Sequence, residues 1–459
     1  MKCRPLAFTT MTATRPSDET TPRTRAGYAL GSLVTGAFGT VPGLLLLPYL
    51  TDTLGVTAGL AGLLVLLPKA WDVLFNPVAG RISDRRGDRR PFLLGAGLLL
   101  AALFALIFAG PFGAGHAAGP YVAIAFLIAA TAYAFFQVPY VAMPAELTDG
   151  YAERTRLMTW RVAVLALAIL LSGALAPLVV EQTGGGLAGH RWSGAFVGAL
   201  IVVGTLGVFF GTRGAPTRTP GQTEPSLRIQ LKVAAASGPF RVLLLCFVIQ
   251  SAGVATMLAG VQYFADHIVA RDGAATFLFA AFVGPALLVM PLWSGAGARL
   301  GKRRSLIAAS LLYALGTILL IPASAGPPPA VYLVTAIIGV GYAGQQVFAM
   351  AMLPDCIATE TSRTGKRQAG VFTGVWTAGE TFGLALGPGL YALVLQLCGY
   401  LSSTTGEPAP QSDTARLGVL LGFTVLPAAL VAAAVPLLRR YPDELRPYAD
   451  EPDRQPVAP

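Results

Sequence analysis

From Tyr28 to Leu438 the chain repeats one pattern: apolar runs of about 20 residues, each broken by a short polar or Gly/Pro-rich interval. A run of that length lets one α-helix cross the hydrocarbon core of a bilayer. There every backbone N–H and C=O must be satisfied within the segment, so the pattern restricts the chain to a bundle of membrane helices. Composition points the same way, with 54% of the 459 residues hydrophobic and 12% charged. An ordinary globular domain carries about a quarter charged residues. Twelve runs are legible, at 27–50, 58–81, 92–112, 120–146, 157–180, 193–212, 239–265, 274–298, 305–325, 331–354, 369–398 and 415–438.

The net charge of +10 invites a nucleic-acid reading, but its placement has another cause. Arg85, Arg86, Arg89, Arg90, Arg299, Lys302, Arg303 and Arg304 fall in alternate loops, whereas the opposite set holds only Arg191, Arg271 and Arg416. This is positive-inside asymmetry, and it predicts both termini on the cytosolic side of a plasma membrane. Residues 1–26 are polar and basic without an apolar core, which reads as a cytosolic tail rather than a signal peptide. Cys3, Cys246, Cys356 and Cys398 show no metal or disulfide spacing.

The longest polar interval, Thr212 to Lys232, falls after the sixth run. It predicts a bundle at 27–212, a cytosolic connection at 213–238, a second bundle at 239–438 and a tail at 439–459. An internal echo supports the division. Pro77 to Arg90, PVAGRISDRRGDRR, aligns without gaps on Pro291 to Arg304, PLWSGAGARLGKRR. Paired six-helix halves suit alternating access, because rocking one half against the other exposes a central site to each side in turn.

The second run, LLVLLPKAWDVLFNP, carries Lys69, Asp72 and Asn76, the last being the chain's single asparagine. Spacings of three and four put all three on one helix face. Ionised groups at bilayer depth persist where they face protein or a wet cavity, so this face is expected to line a central passage. The alternative is a Lys69–Asp72 pair that only stitches helices together. Arg161 and Glu380 raise the same choice, the first between solute binding and a static pair, the second between proton carriage and pairing with a loop arginine. Trp376 is placed to stack on a sugar ring or to pack, and Gln137, Tyr140 and Gln346 offer uncharged hydrogen bonds to a polyhydroxylated solute. Asp84 reads as a cap on the following helix or as the partner of Arg85 or Arg89 in a cytosolic latch.

The motif GRISDRRGDRR resembles the loop between the second and third spans of the major facilitator superfamily. WDVLFNP, DCIATETSRTGKRQAG and GVWTAGETFGLALG together resemble its glycoside-pentoside-hexuronide:cation symporter branch, over about Tyr28 to Leu438. The resemblance implies an all-α membrane protein of twelve helices in two pseudo-symmetric six-helix bundles. Of two acidic positions the branch carries on the second span, the first matches Asp72 and the second falls on Asn76. A lysine on the eleventh falls on Thr381, beside Glu380, and an arginine on the fifth is kept as Arg161. Sugar-contacting acids fall on Gly36 and Gln137, and an aromatic of the tenth span on Gln346.

These readings predict a proton- rather than sodium-coupled symporter for a small polar solute, most simply a sugar or glycoside. Asp72, Asn76, Glu380 and Thr381 then serve coupling; Lys69, Gln137, Tyr140, Arg161, Gln346 and Trp376 serve binding; and Asp84, Arg85 and Arg89 serve gating. A functional monomer without cofactor or metal is expected. The other carrier reading is an uncoupled facilitator or exporter of an anionic or amphipathic compound. A membrane receptor or enzyme has little support, since no P-loop, HExxH or GxSxG stretch occurs.

Overall fold

The computed structural model describes residues 20–84, 89–113, 115, 117–148, 151–215, 232, 235–364, 369–404 and 409–442. Among them, 11 helices are long and apolar enough to cross a membrane, or up to 12 when a broken helix is counted as one span. In chain order the first six spans are Pro22–Thr53, Ala58–Asp84, Arg90–Ile107, Ala118–Leu147, Tyr151–Gln182 and Gly186–Thr212. The seventh is Gly238–Val269, and the eighth consists of Ala274–Leu288 and Met290–Leu300. The ninth to twelfth are Lys302–Ser324, Pro328–Thr364, Ala369–Leu397 and Asp413–Leu438.

Local chemistry sets several ends differently from the hydropathy pattern. The first helix starts at Pro22, inside the stretch read as tail, because the Thr21 side chain accepts from Thr24 N–H and proline suits a first turn. The tenth runs on to Thr364, ten residues past the apolar run, with Arg363 and Glu360 paired one turn apart at 2.6 Å. Asp84 ends the second span's helix rather than capping the third, whose N-cap is Arg89. The eighth span breaks at Val289, ahead of Pro291, which lacks the N–H a continuous helix needs. Its counterpart in the repeat, Pro77, lies within one helix, Ala58–Asp84.

The halves meet along the second and eleventh spans, the fifth and eighth, and the first and seventh. Small residues permit the approach. A Cβ on Gly62 would stand 2.5 Å from Ala392 Cβ and 3.5 Å from Gly389 Cα, and one on Gly173 would enter the Phe279 ring. A set of cross-half hydrogen bonds among the described residues lies at the end away from the chain termini. Gly59 N–H donates to Gln396 Oε1 at 3.0 Å, Gly273 N–H to Glu181 Oε1 at 2.7 Å, and Thr276 Oγ1 to the Ala174 carbonyl at 2.9 Å. Ser403 N–H donates to the Thr51 carbonyl at 2.9 Å. At the other end, Arg25 meets Glu153 at 2.9 Å within the first half and Lys302 meets Asp355 at 2.6 Å within the second.

Candidate functional site

The contact between Gly62 and Gly389 gives a ruler for the polar residues below it. Asp72 lies ten residues beyond Gly62, and Glu380 nine before Gly389. At 1.5 Å per residue the two carboxyls stand about 15 Å and about 13.5 Å further into the bundle, at nearly one depth. They come from opposite halves. Tyr133, on the fourth span, lies within electrostatic range of Asp72, Arg161 and Glu380 alike, which puts these groups in one central region.

Asp72 is 5% exposed, and its Oδ1 has no hydrogen-bond partner. Asn76 Oδ1, one turn on, is likewise buried and unpartnered. Lys69 interacts electrostatically with Asp72, but no ion pair within 4.0 Å joins them among the described residues. Its ammonium instead sits 5.7 Å from the Phe38 ring centroid, and Phe38 stacks on Tyr133 at 4.5 Å. The lysine is thereby held by the π-face of a first-span residue, leaving both carboxylate oxygens of Asp72 without a fixed cation. Burying acceptors in this way is costly unless something visits them, which marks the position as a place where a proton or solute hydroxyl can be taken up. Glu380, half-buried in mid-helix beside Thr381, also has no ion pair among the described residues; the loop-arginine pairing is not formed there.

Arg161 is positioned by a small buried network. Ser32 Oγ donates to the Arg161 carbonyl at 3.0 Å, and the Tyr140 hydroxyl lies 2.8 Å from both Ser32 Oγ and the Tyr28 carbonyl. The Arg161 guanidinium rests 5.4 Å from the Tyr140 ring centroid with its Nε buried and unpartnered. Tyr140 is fully buried and its hydroxyl is occupied within the first half. Its position therefore makes it the platform on which the Arg161 side chain lies, with Nε turned away from any partner.

In the second half, Trp376 is 2% exposed, with one face stacked on Phe247 at 4.3 Å and its Nε1–H unpartnered. Gln346 donates to the Tyr342 hydroxyl at 2.9 Å, and Tyr342 is in electrostatic contact with Glu380. Gln137 is half-buried on the fourth span. Arg89 is buried at the start of the third span, while Arg85 and the side chain of Asp84 lie outside the described residues.

Three residues that the sequence pattern did not single out are brought together at the far end. Tyr400 donates to Asp52 Oδ1 at 2.9 Å, and His267 Nε2 lies 2.9 Å from the same hydroxyl. Asp52 and His267 fall near the ends of apolar runs and read there as loop residues. Only their pairing through Tyr400, 348 positions from Asp52, distinguishes them.

The family described as MFS/sugar transport protein matches residues 27–443. The glucuronide carrier protein homolog of Escherichia coli (strain K12) is 25% identical over 433 residues, 92% of each chain. The isoprimeverose transporter of Lactiplantibacillus pentosus is 23% identical over 393 residues, 83% of this chain and 81% of that protein. The crystal structure of a D-xylose-proton symporter superposes with a TM-score of 0.67 at 14% identity, covering 92% of this chain and 98% of that one. The two helical halves are thus the major facilitator fold. The chain belongs to the MFS/sugar transport protein family, in its glycoside-pentoside-hexuronide:cation symporter branch, a family of multi-span membrane transporters and not of enzymes.

Proposed function

We propose that the protein is a secondary active symporter that carries a sugar or glycoside across the plasma membrane by alternating access, driven by protons. The observation that carries this reading is the pair Asp72 and Glu380: one carboxyl from each half, at about one depth, neither in an ion pair among the described residues, both within electrostatic range of Tyr133. A group that takes a proton in one facing state and releases it in the other has to be uncommitted to a fixed cation, and both are. Replacement of the branch's second acidic position by Asn76 removes a negative charge that a sodium site would use. The solute would be held among Lys69, Asn76, Gln137, Arg161, Gln346 and Trp376. The names of the relatives favour glycosides. The basic loops favour cytosolic termini, and with that orientation the hydrogen-bonded end faces outward. Asp84, Arg85 and Arg89 would then gate the cytosolic side, and a monomer suffices because the site is built from one chain.

The test is uptake by purified protein in proteoliposomes under an imposed proton gradient, with isoprimeverose, phenyl glucuronide and xylose as probes and with sodium present or absent. Accumulation that follows the proton gradient and ignores sodium supports the reading. Sodium-dependent accumulation overturns the choice of ion. Exchange without accumulation under either gradient would favour a facilitator, for which the unpartnered Arg161 Nε suggests an anionic solute.

A further inference from the structure

The segment joining the eleventh and twelfth spans crosses from its own half to lie on the other. Ser403 N–H donates to the Thr51 carbonyl at 2.9 Å, and Ser402 Oγ to the Val56 carbonyl at 2.8 Å. The receiving turn is shaped for it. Gly55 has φ +72°, in the left-handed region, and a Cβ there would stand 2.5 Å from Thr404 Cγ2. Between these strands of contact lies Tyr400, buried edge-on against Tyr263 at 5.3 Å, while Tyr263 meets Thr51 Oγ1 at 2.7 Å.

Burial, together with the Asp52 carboxylate, pushes the Tyr400 phenol far above its usual pKa, so it keeps its single proton. The hydroxyl donates to Asp52 Oδ1, and its oxygen lies 2.9 Å from His267 Nε2. Arg416 donates to the His267 carbonyl at 3.1 Å, and Gln262 donates to Asp266 at 3.0 Å beside it. The chain His267, Tyr400, Asp52 runs from the seventh span through the connection to the first, with a buried carboxyl at its end.

We propose that Tyr400–Ser403 is a latch that docks on the Thr51–Val56 turn and holds this side of the transporter shut, with the Tyr400 hydroxyl as its pin. A buried acceptor at 7% exposure loses more by losing its donor than an exposed one, so breaking the pin should be felt. The latch rests on the alternating-access reading, but its test needs no solute. In the full chain with Cys3, Cys246, Cys356 and Cys398 replaced by serine or alanine, spin labels at Thr183→Cys and Thr414→Cys report the separation of the halves at this end. Both positions are exposed and outside the latch. Tyr400→Phe is expected to raise the fraction of widely separated labels about fivefold, the scale of one net hydrogen bond. Ser402→Ala, which keeps the ring, is expected to move it in the same direction and carries the test should Tyr400→Phe fold poorly. A label separation unmoved in the folded variants overturns the latch, whether or not the protein accumulates any solute. Failure of every uptake assay with the separation still moved would instead overturn the transport reading.

Discussion

Asp72 and Glu380 reach one central region from opposite halves of the chain, at nearly equal depth below the contact of Gly62 with Gly389, and Tyr133 senses both. Two such groups can divide the work of coupling, and the variants that neutralise them separate their roles.

Asp72→Asn keeps the shape and one acceptor oxygen but cannot exchange a proton. Gradient-driven uptake is expected to fall roughly a hundredfold, the scale of a removed proton-transfer group, with thermal unfolding of the purified protein unchanged. Normal accumulation by this variant would take Asp72 out of the mechanism.

Glu380→Gln imitates the protonated carboxyl. Solute exchange at equal pH on both sides should persist, while accumulation against a gradient and the pH dependence of uptake should flatten. Parallel measurement of exchange and accumulation checks this, and loss of both in a folded variant would mean that Glu380 binds solute instead.

Arg161 lies on the Tyr140 ring with its Nε free. Arg161→Lys loses the planar contact and the fork of donors, so KM is expected to rise about 5- to 30-fold with little change in kcat, as an interaction of one to two kcal/mol implies. A change confined to kcat would place Arg161 in the conformational step.

Tyr140→Phe removes only a buried hydroxyl bonded inside the first half. It should cost about 1 kcal/mol of stability, read as a lower unfolding temperature, while KM for a transported solute moves little. A large KM change with unaltered stability would restore Tyr140 as a solute ligand.

Gly62→Val inserts three carbons where a single Cβ would already meet Ala392 at 2.5 Å. Overpacking on the order of 1–3 kcal/mol falls on the closed far side alone. Labels placed there should separate, and uptake should slow even though no site residue has changed.

How much of this was written in the order of residues depends on the distance over which each feature is decided. Twelve apolar runs, the basic loops and the stripe Lys69–Asp72–Asn76 follow from solvent and helical period, both local, and a reader of the chain finds them directly. Helix ends depart from the hydropathy pattern, by as much as ten residues at the tenth span, where a cap or a one-turn ion pair, as at Thr21 and Glu360–Arg363, outweighs hydropathy. Whether Lys69 neutralises Asp72 could not be read at all, because the ammonium chooses a ring on another helix, Phe38. The same holds for Tyr140, whose residue type suits a solute contact but whose hydroxyl is taken up by Ser32 and Tyr28. Asp52, His267 and Tyr400 look like three unrelated loop residues until folding closes the gap between them. Membership of the membrane is a property of each segment alone; the partner of a buried polar atom is settled only when helices distant in sequence are packed side by side, since an interaction that decays within a few ångströms cannot be encoded by spacing along one chain.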